Sequence, residues 1–153
     1  MRRFSPVVLA GALLLFPAFS FAQTPAPAQK LTFEGDTALW SVAIRPDKTA
    51  DFEQVLAKLR EALAKSEKPE AKQQAAGWKV VKGAKPMQDG NVVYTHVIHP
   101  VVPGADYTVM QILYDAFPDP TERTNLYNLY RGAFAANLGA SVGTVVADLS
   151  KTQ

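Results

Sequence analysis

The only two histidines of the chain, His96 and His99, stand in the run HVIHPVVPGADY with an acid, Asp106, after them. On a helix, an H-x-x-H spacing brings two imidazoles together, where they could share a metal ion or a proton-transfer step. The run VVYTHVI favours a strand instead, because it is rich in β-branched and aromatic residues and Pro100 follows at once. On a strand, an odd separation sends two side chains to opposite faces. We therefore expect no shared metal ion.

Either histidine could still act alone. His96 is the catalytic candidate, because it is expected in the middle of the strand, where an enclosed cavity would lie and where it could shuttle protons. His99, beside Pro100, is expected at the rim. For both, the alternative is a structural histidine that is hydrogen-bonded at the sheet. Asp106 is most simply a helix cap.

Aromatic residues provide the candidates for ligand binding. An aromatic cleft with one histidine would suit a flat, partly apolar ligand. The residues we select for this role are Trp78, Tyr94, Tyr107 and Tyr114. The alternative for Tyr107 and Tyr114 is that they pack helices onto a sheet with their hydroxyls reaching solvent, and the alternative for Trp78 is a place in the core.

Composition excludes several classes of function. The chain has no cysteine, so disulfides, thiolate catalysis and cysteine-bound metals are unavailable. Without Arg2 and Arg3, which lie in a segment expected to be removed, 14 basic residues face 14 acidic ones. A net charge of zero leaves no basic patch for nucleic acid or for an anionic membrane. No nucleotide-binding or metalloprotease motif is present, and we expect no cofactor.

The N-terminus has the pattern of a secretory signal. Arg2 and Arg3 precede an apolar run from Val7 to Phe19, and Ser20-Phe21-Ala22 places small residues where a signal peptidase cuts. The alternative, an uncleaved anchor, needs roughly 20 apolar residues, which this run does not reach. We expect residues 1–22 to be a signal peptide, 23–30 a proline-rich tether and 31–150 a single domain. The product would be periplasmic or secreted.

Periodicity predicts four strands and at least two helices after this tether. Pro46 ends the first strand, and Asp89-Gly90 marks a hairpin turn. Thr49 can cap the surest helix, whose single apolar stripe is formed by Phe52, Val55, Leu56, Leu59 and Leu63. Asp119 and Pro120 have the pattern of a helix cap and first turn. The predicted strands are 37–45, 77–84, 91–100 and 141–149, and the helices begin near Thr49, Pro69, Tyr107 and Pro120.

This order predicts an α+β domain with a four-stranded antiparallel sheet and its helices on one face, in the split βαβ arrangement of ferredoxin-like folds. Apolar residues occupy both faces of the strand around Tyr94. The face without helices therefore needs a cover, and a second copy of the chain is the simplest one. We expect a homodimer.

The element order, the start of a strand at Gly77-Trp78 and the run from Tyr94 through Pro103-Gly104-Ala105-Asp106-Tyr107 resemble exported bacterial domains of the dimeric α+β barrel type, over roughly residues 31 to 149. That superfamily includes cofactor-independent monooxygenases, haem-degrading enzymes, muconolactone isomerases and stress-responsive proteins. The haem-degrading members use an Asn, a Trp and a His. The resemblance gives Trp78 and His96 for two of these roles, while Asn91 at a hairpin turn is a poor third.

Three functions from different classes follow. The first is a non-catalytic exported homodimer that binds a small amphipathic or aromatic ligand. The second is an enzyme, a metal-independent monooxygenase or isomerase that uses His96. The third is an interaction module that docks an envelope protein through the free sheet face. A fold shared so widely does not select among them.

Overall fold

One antiparallel sheet organises residues 29–150, the part of the chain that the computed structural model describes. Strand β1 (Thr37–Ile44) pairs with β3 (Val92–Ile98) on one side and with β4 (Phe134–Gly143) on the other. Strand β2 (Trp78–Lys82) pairs with β3, so the order across the sheet is β2-β3-β1-β4. The predicted α+β class and the four-stranded antiparallel sheet are confirmed. The predicted signal peptide and most of the tether lie outside the described residues.

Four α-helices accompany this sheet within the described range: α1 (Thr49–Lys65), α2 (Pro69–Gly77), α3 (Val109–Ala116) and α4 (Pro120–Ala133). Helix α1 begins at Thr49 itself, so the predicted cap at Thr49 is wrong, whereas the predicted apolar stripe is confirmed by the burial of Phe52, Val55, Leu59 and Leu63. Spacings of three and four residues keep these side chains on one face of the helix. None of the described helices has the length and apolar character needed to span a bilayer.

The predicted starts of two helices, α4 and α3, differ in how well they agree with the structure. At α4 the prediction is confirmed, because Asp119 Oδ1 accepts a hydrogen bond of 2.7 Å from the Glu122 backbone N–H. At α3 it is wrong, because the helix begins at Val109 and not at Tyr107. Asp106 instead accepts hydrogen bonds from the backbone N–H groups of Thr108 and Leu31. Asp106 therefore ties the start of the described chain to this turn.

The two faces of the sheet differ in their cover. Even-numbered residues of β1 and β3 face the helices and form the core, among them Trp40, Val42, Tyr94 and Ile98. The opposite face is open, and the side chains of Leu39 and Val81 there are 45% and 54% exposed. Alternation along the strands, with a period of two, produces this division.

The last strand lies further towards the N-terminus than predicted. We expected Ser141–Leu149, whereas β4 spans Phe134–Gly143 and residues 144–150 form neither helix nor strand. The prediction followed the apolar run of Val145 and Val146, but Thr37 at the start of β1 already pairs with Gly143. Among residues 29–150 no partner strand extends beyond that pair, so β4 ends there and Val146 is 97% exposed.

One close backbone approach attaches α2 to the end of β3. Gly77 ends α2, and its carbonyl oxygen accepts a hydrogen bond of 2.9 Å from the His99 N–H. A Cβ atom at this position would lie 2.8 Å from the carbonyl oxygen of Pro100. Glycine is required here because a side chain would push the α2–β2 junction away from β3.

We expect Gly77→Ala to lower the free energy of unfolding by about 1 to 3 kcal/mol, the usual range for overpacking. The matched control is Gly132→Ala in α4, where a Cβ atom would meet nothing within 4 Å. This control should raise stability by roughly 0.5 to 1 kcal/mol through helix propensity. Urea unfolding followed by circular dichroism measures both. A Gly77→Ala variant as stable as the control would contradict the close approach.

Candidate functional site

A hydrogen bond between Trp78 and His96 joins two of the residues selected from the sequence. The two residues lie on neighbouring strands, where His96 pairs with Val80 and Trp78 pairs with Ile98. This diagonal placement lets the long Trp78 side chain reach His96, and its Nε1–H donates to His96 Nδ1 at 2.9 Å. The imidazole is therefore held from the edge strand β2.

His96 is fully buried, with an exposed fraction of 0%. The Trp40 ring stacks on it with centroids 4.5 Å apart and planes 22° apart, and Phe52 of α1 meets it nearly at right angles. Because the indole N–H is only a donor, Nδ1 must accept, and the neutral ring then carries its proton on Nε2. Within residues 29–150, this Nε2–H has no hydrogen-bond partner.

Enclosure also sets the charge of His96. Burial lowers the pKa of its imidazole to about 4, because the cation would lose its water without gaining an opposite charge. The ring is therefore neutral at pH 7. A proton shuttle needs a pKa near the working pH and contact with the reacting group. A fully buried ring with a pKa of about 4 is poorly suited to that role at pH 7.

Three further residues selected from the sequence have separate environments. Tyr107 is buried and packs against Trp78 with ring centroids 5.3 Å apart, and its hydroxyl accepts a hydrogen bond from the Val102 N–H. Tyr94 is also buried and donates to Glu53 Oε1 at 2.6 Å. The expectation that the tyrosine hydroxyl reaches solvent is wrong for Tyr107. Tyr114 lies on α3, where it contacts Arg123.

His99 lies just beyond the end of β3, with an exposed ring whose Nδ1 is 2.9 Å from Thr37 Oγ1. Thr37 has the same strand parity as Leu39, so it belongs to the open face of the sheet. The two histidines thus have different partners on different faces. No group of three or more His, Cys, Asp and Glu side chains among residues 29–150 is placed to hold a metal ion.

A surface groove of about 490 Å³ runs between α1, α2 and β2. Its floor and walls are largely apolar and include Leu56 and Leu63 of α1, Ala75 of α2, and Trp78 and Val80 of β2. Trp78 is half-buried, so the same indole that binds His96 also lines the groove. His96 itself is not part of the lining.

Two charged side chains of α1, Glu53 and Arg60, also line the groove. Neither residue is among the candidates selected from the sequence. A helical spacing could have identified them. Leu56 and Ala57 follow Glu53 by three and four residues and precede Arg60 by four and three, so all of these residues lie on one side of a helix. That side borders the buried stripe and does not point directly away from the core.

Comparisons of the chain with models of known protein families, with curated proteins and with solved structures find no match. Inferences about function therefore depend on the groove, on the Trp78–His96 pair and on the open sheet face.

The enclosure of His96 predicts a specific dependence of stability on pH. Its pKa is about 4 in the folded protein against 6.5 for an exposed histidine, so between these values the unfolded chain binds more protons. Stability is then complete above pH 6.5 and falls as the pH drops towards 4. The loss expected from this group is about 3 kcal/mol.

Urea unfolding at pH 7 and pH 4.5 measures this loss in the wild type and in His96→Gln, whose amide oxygen can still accept from Trp78. Carboxylates whose pKa is lowered by lysine partners, such as Glu61 and Asp115, contribute equally to both proteins and cancel. Between the two pH values, the wild type should lose more stability than the variant, and the difference should be most of the expected loss of about 3 kcal/mol. Equal losses in the two proteins would show that His96 is not enclosed.

Proposed function

We propose that this chain is an exported, non-catalytic domain that forms a homodimer and binds a small amphipathic or aromatic molecule. The observation that carries the proposal is the groove beside Trp78, which combines an apolar lining with a few polar groups at its edge. A volume of about 490 Å³ lies within the usual range of small-molecule sites. Export rests on the signal-like pattern ending at Ala22.

The proposed fold family is the ferredoxin-like group, and the proposed assembly is a dimeric α+β barrel. The strand order β2-β3-β1-β4 and the helical cover on one face support the first proposal. The open face supports the second. Leu39 and Val81 are exposed there, while Ser41 and Thr95 satisfy each other through a hydrogen bond of 2.9 Å. The exposed apolar side chains of Leu39 and Val81 on this face suit a second copy of the chain as its cover.

The dimer proposal predicts the effect of a charge at the centre of this face. The wild type should be a dimer by light scattering at micromolar concentrations. Leu39→Lys should yield folded monomers with the circular dichroism spectrum of the wild type, because Leu39 is 45% exposed and supports little of the monomer's core. The matched control is Tyr127→Lys on α4, which is 40% exposed outside this face and should remain dimeric. A monomeric wild type would contradict the dimer and favour an envelope protein as the partner of the face.

The ligand proposal predicts that filling the groove abolishes binding. N-phenylnaphthylamine, a neutral aromatic molecule that fluoresces in apolar surroundings, is a suitable probe. Ala75 lines the groove, whereas its exposed neighbour Ala76 does not. Ala75→Phe should therefore weaken probe binding by about tenfold or more, and Ala76→Phe should leave it unchanged. Fluorescence titration measures both. Equal binding by the two variants would place the probe elsewhere and contradict the groove as the site.

The enzymatic alternative, a metal-independent monooxygenase or isomerase, depends on His96. Its ring is 0% exposed, and it does not line the groove. A substrate in the groove would be separated from the imidazole unless Trp78 gave up its hydrogen bond to Nδ1. These observations support the non-catalytic function over the enzymatic one.

A further inference from the structure

The two charges of the groove differ in what already binds them. Glu53 Oε1 accepts hydrogen bonds from Lys82 Nζ at 2.8 Å and from Tyr94 Oη at 2.6 Å. These hydrogen bonds, the one from Lys82 foremost, hold the pKa of the Glu53 carboxyl below its usual value. The carboxylate is therefore ionised and already paired at this end of the groove.

Arg60 is different, because within the described residues its guanidinium has no hydrogen-bond or ion-pair partner. The neighbouring acid Glu61 is bound by Lys58 and Lys65 and does not compensate it. A seven-residue separation on one helix places Arg60 about 10 Å along the axis from Glu53. At one position of the groove, Glu53 is neutralised by Lys82. Arg60 is an unpaired cation two helical turns further along α1, and apolar side chains lie between the two positions.

We propose that the groove binds an amphipathic organic anion, whose aromatic or aliphatic body lies against Trp78 and whose carboxylate, sulfonate or phosphate pairs with Arg60. This inference rests on the proposed function and names the ligand class. Guanidinium keeps its charge at all physiological pH values and presents planar donors that match such anions. Trp78 offers a wide apolar surface to the body of the ligand.

A cationic ligand fits the same groove poorly. Its natural counter-charge would be Glu53, but Lys82 and Tyr94 occupy that carboxylate. A cation would have to displace Lys82 and would then lie in the same groove as the unpaired Arg60. Charge complementarity therefore selects an anion.

The test uses two probes that differ only in an anionic group. Anilinonaphthalene sulfonate carries a sulfonate, and N-phenylnaphthylamine is the same aromatic body without it. Arg60→Gln should weaken binding of the sulfonate about tenfold, the size of one charge-assisted hydrogen bond, and leave the neutral probe unchanged. Arg60→Lys should restore part of the loss. Arg131→Gln, which removes an exposed arginine of α4, is the matched control and should affect neither probe.

The outcomes separate this inference from the function on which it rests. If Ala75→Phe abolishes binding of the neutral probe while Arg60→Gln leaves the sulfonate unaffected, the groove is a binding site and the anion inference is wrong. If Ala75→Phe changes binding of neither probe, the proposed function is wrong and the inference falls with it. Equal weakening of both probes by Arg60→Gln would mean that Arg60 shapes the groove without recognising charge.

Discussion

The hydrogen bond from Trp78 Nε1–H to His96 Nδ1 is the constraint on which the core and the groove both depend. A histidine that is 0% exposed needs a donor or acceptor of its own, because a buried polar group without a partner costs about 1 to 3 kcal/mol. The bond satisfies one ring nitrogen and also determines the tautomer. It attaches the edge strand β2 to the centre of the sheet through side chains as well as through the backbone ladder.

Trp40 connects His96 to the opposite edge strand, β4. It stacks on the His96 ring, and its own indole N–H donates to Asn137 Oδ1 at 3.1 Å. Strands β2, β3, β1 and β4 are thus linked in order by the side chains of Trp78, His96, Trp40 and Asn137. These side-chain contacts, with a hydrogen bond at each end and a ring stack between them, cross all four strands and favour one register of the sheet over its alternatives.

The side-chain contacts across the sheet also explain the position of the groove. Trp78 must reach inwards to His96, so its indole cannot fold outwards to fill the space between α1 and α2. The short edge strand β2 and the small residue Ala75 leave that space open, and Leu56, although apolar, stays half-buried at its border. Helix α1 therefore serves two purposes, since Phe52 and Val55 support the core while Glu53 and Arg60 face the groove.

Local signals in the sequence determined most of the elements of this protein. The apolar spacing in α1, the stop at Pro46, the cap at Asp119 and the alternation around Tyr94 act over a few residues and can be recognised without knowing the fold. Only the tertiary structure decided the limits of β4, because its Ala- and Gly-rich segment pairs with whatever length β1 offers. The partner of His96 and the position of Arg60 beside the groove were decided in the same way, since both depend on residues that meet only when β2, β3 and α1 pack together.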